Sequence, residues 1–332
     1  MPAVKNTGRR EAQGGPVLFC TKLVRDLVFE ERALQPCCNT HNIAVPSFPF
    51  AGGEVDMAAY TRHIGAVAQE IQRQNPQVCA GCPDLVPLSQ SVHVPELQFS
   101  VISLNHHRHV CNCRCVYCDL WKPGHHPRPF AILPALRSLH DQGALKKNCA
   151  ISWGGGESTL LPDFETTGRW LRAHGYFQQV HTNALRHSDW IDHLLSSGAG
   201  RVNISLDSGN AATYARVKGG DWWDKVLAST EKYFAAAITP RQVDLKYIVF
   251  EANNKIEELD QFFQVCQHVG AAKVQLSFNF IEVVNDKVSE HSIAAAAYFV
   301  HRAEKLGLVC ELFFVDAPIR ERMDAARRKL FG

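Results

Sequence analysis

The chain has 332 residues, 46% hydrophobic and 20% charged, the composition of a globular fold with a sizeable core. Lysine and arginine number 35 against 33 acidic residues, so the charge balance carries no footprint of nucleic acid or of a membrane surface. No run approaches the roughly 18 apolar residues of a membrane span, and residues 1–15 lack an apolar signal core, so that stretch reads as a tail and the chain as cytoplasmic.

Residues 16–92 form an irregular, cysteine-rich module. Val17–Cys20 and Leu27–Phe29 read as short strands, and 56–74 as a helix with Tyr60, Ile64, Val67 and Ile71 at helical spacing. The twelve cysteines of the chain gather rather than scatter. A disulfide scaffold would be short and exported, so metal accounts for the clustering better. Cys79-Ala80-Gly81-Cys82 places a C-x2-C pair at a glycine turn, a metal-binding signal when further cysteines lie upstream. Cys20, Cys37 or Cys38, Cys79 and Cys82 complete a four-cysteine set, suited to structural zinc or to an iron–sulfur cluster. Cys149, Cys266 and Cys310 lie within apolar runs and read as core thiols.

Over residues 93–318 short apolar runs alternate with amphipathic stretches. Strands are expected at 99–104, 149–153, 179–182, 202–206, 243–250, 274–278 and 308–315, with helices between them. This is an α/β pattern of six βα units and predicts a partial (β/α)6, TIM-like barrel, with a C-terminal helix over 319–332. Functional groups on such barrels sit at the C-terminal ends of the strands.

The motifs fall at those ends. After the first strand, Cys111, Cys115 and Cys118 have C-x3-C-x2-C spacing. A fully ligated cluster or a closed zinc site takes four ligands, so a compact trio leaves a metal position open to a small molecule. Cys113 offers a competing set with Cys115 and Cys118. After the second strand comes Gly154-Gly155-Gly156-Glu157, where consecutive glycines let the backbone approach a ligand. After the fourth, Ser205-Leu206-Asp207 offers a hydroxyl and a carboxylate suited to a ribose.

Together these motifs resemble the radical S-adenosylmethionine (SAM) superfamily. The resemblance implies a 4Fe–4S cluster on Cys111, Cys115 and Cys118 whose open iron chelates SAM. It also implies reductive cleavage of SAM to a 5′-deoxyadenosyl radical that abstracts hydrogen from a substrate. Tyr117 is then expected near the adenine, and Gly155, Gly156 and Glu157 at the SAM amino group, although Ser158 replaces the family's usual proline. Asn183 is expected as a polar contact, Ser205 and Asp207 near the ribose, and Arg216 at the SAM carboxylate ahead of Lys218, because a guanidinium grips a carboxylate bidentately. The N-terminal cysteine set resembles SPASM or twitch modules, which implies a second 4Fe–4S cluster with zinc as the alternative. Those modules usually follow the barrel, whereas this one precedes it.

The implied partners are an electron donor such as flavodoxin or ferredoxin and a peptide or small-molecule substrate, with sugars and natural-product intermediates included by analogy. The competing function is a non-catalytic zinc or iron–sulfur scaffold, for which the glycine–glutamate and Ser-x-Asp motifs would be superfluous. His106, His107, His109, His125 and His126 crowd the cysteine loop and could meet substrate anions or move protons, or simply solvate a loop. Lys246 could face the barrel mouth or pair with Asp244.

Overall fold

The computed structural model describes residues 17–37, 44–75, 77–88, 96–122, 124 and 126–332. Cys38 and His125, both singled out above, lie outside them. The strands are β1 (Val17–Phe19), β2 (Asp26–Phe29), β3 (Ala33–Gln35), β4 (Phe48–Pro49), β5 (Val86–Leu88), β6 (Phe99–Leu104), β7 (Leu145–Trp153), β8 (Phe177–Thr182), β9 (Gly200–Ser205), β10 (Val243–Val249), β11 (Lys273–Phe278) and β12 (Val309–Phe313). The helices are α1 (Lys22–Arg25), α2 (Met57–Gln72), α3 (Leu133–Asp141), α4 (Phe164–Ala173), α5 (Asp189–Ser196), α6 (Ala211–Lys218), α7 (Trp223–Ala236), α8 (Ile256–His268), α9 (Phe280–Val284), α10 (Glu290–Lys305) and α11 (Ala317–Phe331).

Strands β6 to β12 lie side by side in chain order and pair in parallel, with helices returning the chain between them. These are the seven strands that the apolar alternation predicts. The addition is β2, which pairs in parallel with β6 through Leu27↔Ile102 and Phe29↔Leu104. Antiparallel β3 and β4 extend that edge, while β1 and β5 form a separate two-stranded sheet. The expected boundary near residue 93 is therefore no break in the main sheet.

The two faces of the barrel strands differ. Ile151, Val180, Ile204, Leu245 and Leu276 are fully buried against the helices. The opposite face is polar: Asn203 Nδ2 on β9 donates to Gln275 Oε1 on β11 at 3.2 Å, reaching past β10. Only the concave side of a curved sheet brings such positions together, so this face lines the barrel lumen.

Local chemistry sets the helix ends. Asp56 caps α2 by accepting from Ala59 N at 2.9 Å, and Tyr60, Ile64, Val67 and Ile71 form its buried stripe. Asn210 caps α6 by accepting from Thr213 N, and Gly219 ends it at φ 79°, a left-handed conformation that favours glycine. The N-terminal stretch docks on the barrel through Phe50, whose ring meets Phe29 at 5.6 Å and Phe130 at 5.3 Å edge-on.

Candidate active site

The cysteine loop leaves β6 and is held on three sides. Asn105 N donates to Phe29 O at 2.8 Å, and Glu30 takes the Arg108 guanidinium at 2.7 Å. Beside them, His109 Nδ1 lies 2.6 Å from Glu31 Oε1. On the second side Glu157 N donates to Val110 O at 2.7 Å. A Cβ at Gly156 would stand 2.4 Å from the carbonyl oxygens of both His107 and Val110, so only glycine allows this approach. On the third side Arg114 N and Val116 N donate to Lys218 O and Val217 O, each at 3.0 Å.

The clamped loop leaves Cys111 exposed and Cys115 and Cys118 half-buried, while Cys113 turns into the core at 2% exposure. The Cys113 thiol bonds to Cys111 and Cys115, which keeps its own pKa high and lowers theirs, that of Cys115 to about 6. Burial raises that of Cys118. Three thiols on one loop, two of them biased towards thiolate, are a donor set that fits an iron–sulfur cluster with a non-protein position. Asn183 borders them: its Nδ2 lies 3.7 Å from Cys111 Sγ and donates to Asn112 Oδ1 at 2.7 Å.

Glu157 is 1% exposed and makes no ion pair among the described residues. Its Oε1 accepts from Thr159 Oγ1 at 2.7 Å and Thr182 Oγ1 at 2.8 Å, and its Oε2 from Asn183 N at 2.7 Å. Burial raises its pKa and these donors oppose the rise. The carboxylate thus ties the end of β7 to the end of β8.

Asp207, at 0% exposure and φ 55°, is equally enclosed. Its Oδ2 accepts from Tyr117 OH at 2.6 Å and from Lys218 Nζ, and its Oδ1 from Ile248 N at 2.8 Å. Lys218 is 1% exposed and also donates to Tyr117 OH at 3.0 Å. Burial alone would lower its pKa, but the Asp207 carboxylate holds it well above the ordinary lysine value. Both Asp207 oxygens and the Tyr117 hydroxyl are therefore spent on internal bonds. Ser205 stands half-buried on the lumen face.

Arg216 is not brought to this site. It is exposed, and its guanidinium donates to Thr213 Oγ1 and Ala252 O. The cation that reaches the cysteine loop is Lys218. Helical period separates the two: Tyr214, Val217 and Lys218 share the buried i, i+3, i+4 stripe of α6, and Arg216 falls opposite.

The loop histidines divide. His106 and His107 are 1% and 0% exposed, and burial lowers their pKa values to about 4 and about 3. They are core groups, with His107 Nε2 3.0 Å from Ser158 Oγ. His126 is exposed and its ring stacks on His109.

The N-terminal cysteines also converge. Cys20 and Cys79 are each 8% exposed, and Cys82 N closes a turn onto Cys79 O at 3.1 Å. Burial pushes the Cys79 thiol up to about 11, and the neighbouring Cys37, Cys82 and Cys20 add to the shift. Cys79 thus lies within electrostatic reach of Cys37, Cys82 and Cys20, thiols of the type a cluster or zinc takes.

Residues 106–263 match the family described as the Radical SAM superfamily. The match covers 158 of the 332 residues, just under half of the chain. Among curated proteins it is 26% identical over 172 residues to a probable GTP 3′,8-cyclase of Saccharolobus islandicus, covering 51% of this chain and 53% of that protein. A protein of the same name from Archaeoglobus fulgidus is 27% identical over 165 residues, covering 46% and 51%. The chain thus spans about half the length of these curated relatives. Among solved structures, Streptococcus suis SuiB bound to precursor peptide SuiA superposes with a TM-score of 0.50 at 11% identity, over 86% of this chain and 71% of that one. Hexahistidine-tagged anSMEcpe with bound AdoMet gives 0.50 at 16% identity, over 65% and 61%. At such identities the likeness is one of fold.

Proposed function

We propose that this chain is a radical SAM enzyme whose site is the cysteine loop clamped against the glycine–glutamate turn. The carrying observation is Gly156, where only a missing side chain lets that turn close on the carbonyls behind Cys111. Cys111, Cys115 and Cys118 would hold the cluster. A 4Fe–4S cluster bound there would supply the electron for reductive SAM cleavage and so for radical hydrogen abstraction from a substrate.

The surrounding residues position rather than react. Glu157 spends its oxygens joining the ends of β7 and β8, so the backbone of Gly154–Gly156 is what remains to receive the SAM ammonium. Asp207, Lys218 and Tyr117 brace the loop from the other side, next to the adenosine. Ser205, half-buried on the lumen face, offers its hydroxyl to the ribose.

The four N-terminal cysteines act as a SPASM-like module holding a second 4Fe–4S cluster, with zinc as the competing occupant. A flavodoxin or ferredoxin delivers the electron, in the cytoplasm. Among the described residues no helix is long and apolar enough to cross a membrane. The substrate is a small molecule or a peptide, a reading supported by the nucleotide-named relatives and the peptide-bound neighbour.

Anaerobic incubation with SAM and dithionite tests the proposal. The wild type should release 5′-deoxyadenosine and Cys115→Ala should release none. Equal release from both would overturn it.

A further inference from the structure

We propose that the barrel lumen binds a polar substrate through a negatively charged group, carboxylate or phosphate, received by the ammonium of Lys246. This deepens the radical SAM reading and rests on it for the identity of the site.

Lys246 lies mid-way along β10 on the lumen face, in register with Ser205 of β9 and Gln275 of β11. Its Nζ sits 5.7 Å from the centroid of the Phe313 ring on β12, again reaching past an intervening strand. Among the described residues it has no hydrogen-bond or ion-pair partner. The expected neighbour, Asp244, gives Oδ2 to Lys273 at 3.1 Å, which also takes Glu311 at 2.8 Å, while its Oδ1 is buried without a partner among the described residues and its charge lies within reach of Arg201. Those two acids and one lysine close the lower end of the lumen.

Above them the excess is cationic and under-satisfied. Arg201 on β9 donates to Gln179 Oε1 at 2.6 Å, yet its Nε is buried with no partner. Asn203 Oδ1 and Ser277 Oγ, on residues each 1% exposed, are likewise unpartnered and share the lumen face. Buried polar atoms are nearly always bonded, to protein, water or ligand, so this concentration marks a lumen face that a polar guest would satisfy. Burial lowers the pKa of Lys246, and burial with Lys246 and Arg201 beside it lowers that of His181 to about 4. His181 therefore stays neutral there, its Nε2 3.2 Å from Gln179 Nε2. An anion would supply what Lys246 and Arg201 lack. An apolar or cationic guest would leave the Lys246 ammonium without a direct counter-ion, which is disfavoured.

The test uses the anaerobically reconstituted full chain with saturating SAM at low ionic strength. Citrate, inorganic phosphate and tripolyphosphate are titrated calorimetrically against wild type, Lys246→Met and Lys246→Arg. Saturable binding of at least one probe is expected, weakened at least tenfold in Lys246→Met and largely recovered in Lys246→Arg. Citrate or the phosphates binding the tighter identifies the group recognised. Wild type binding none of the probes overturns the inference. So does a Lys246→Met protein that loses affinity for SAM while keeping the anion, because the ammonium would then belong to SAM. Melting temperature gives a second readout: removing an unpaired ammonium should raise it, and a fall would mean that Lys246 has a structural partner. Dithionite-driven 5′-deoxyadenosine formation is followed in the same wild-type sample. Cleavage without anion binding defeats this inference alone, and anion binding without cleavage defeats the radical SAM proposal alone.

Discussion

Lys218 and Asp207 form an ion pair sealed from water, with 1% and 0% of their side chains exposed. The pair is joined to the cysteine loop twice, by the Tyr117 hydroxyl that both contact and by the Lys218 carbonyl that accepts from Arg114 N. Breaking it leaves an uncompensated charge beside the cysteines.

Asp207→Asn should accordingly cost about 3–5 kcal/mol of stability, the penalty for removing one partner of a buried pair. Adding Lys218→Met to it should restore much of that loss, since the orphaned charge is then gone. Urea unfolding of both variants checks this. A double variant no more stable than Asp207→Asn would contradict the buried-charge account.

Gly156→Ala should destabilise by about 1–3 kcal/mol, because its Cβ would collide with two carbonyl oxygens that belong to a braced loop. It should also lower the iron retained after reconstitution. Gly65→Ala, within α2 where a Cβ meets nothing, should instead gain up to ~1 kcal/mol. Thermal melts of the two variants should therefore move in opposite directions.

The barrel is legible in the sequence because each of β6 to β12 is an apolar run followed by an amphipathic stretch long enough to show its period. Strand β2 is not legible as a barrel neighbour: Asp26–Phe29 spans only four residues, and parallel pairing with β6 is a tertiary fact. The cysteine trio and the Gly-Gly-Glu turn stand out because spacing alone defines them. Their partner Glu30 does not, since it reaches the site from the end of a distant strand and a glutamate carries no mark of its destination. Lys218 was within reach, because the stripe of Tyr214 and Val217 already points it inward and Arg216 outward. The unpartnered Lys246 was not, because alternation within β10 shows which residues share a face but not which of them find counter-ions.

His106 provides the pH test. Its ring is packed on Phe130 and His107, and both ring nitrogens are buried without partners among the described residues. Burial lowers its pKa from 6.5 to about 4. Below pH 6.5 the unfolded chain takes up a proton there that the folded chain refuses until about pH 4. The stability this group contributes is therefore fully present above pH 6.5 and lost as pH falls through that window. His106→Phe removes the penalty, so its stability relative to wild type should rise by about 2 kcal/mol between pH 7 and pH 5. Urea midpoints at the two pH values measure it, and a difference independent of pH would contradict the buried neutral imidazole.

The most direct test of the central claim is iron and labile sulfide per chain after anaerobic reconstitution, in wild type and in the Cys111→Ala/Cys115→Ala/Cys118→Ala variant. With a cubane at each cysteine set, the wild type should hold about eight of each and the variant about four. Wild type without iron, or a variant that keeps the full wild-type content, would contradict the assignment of the cysteine loop.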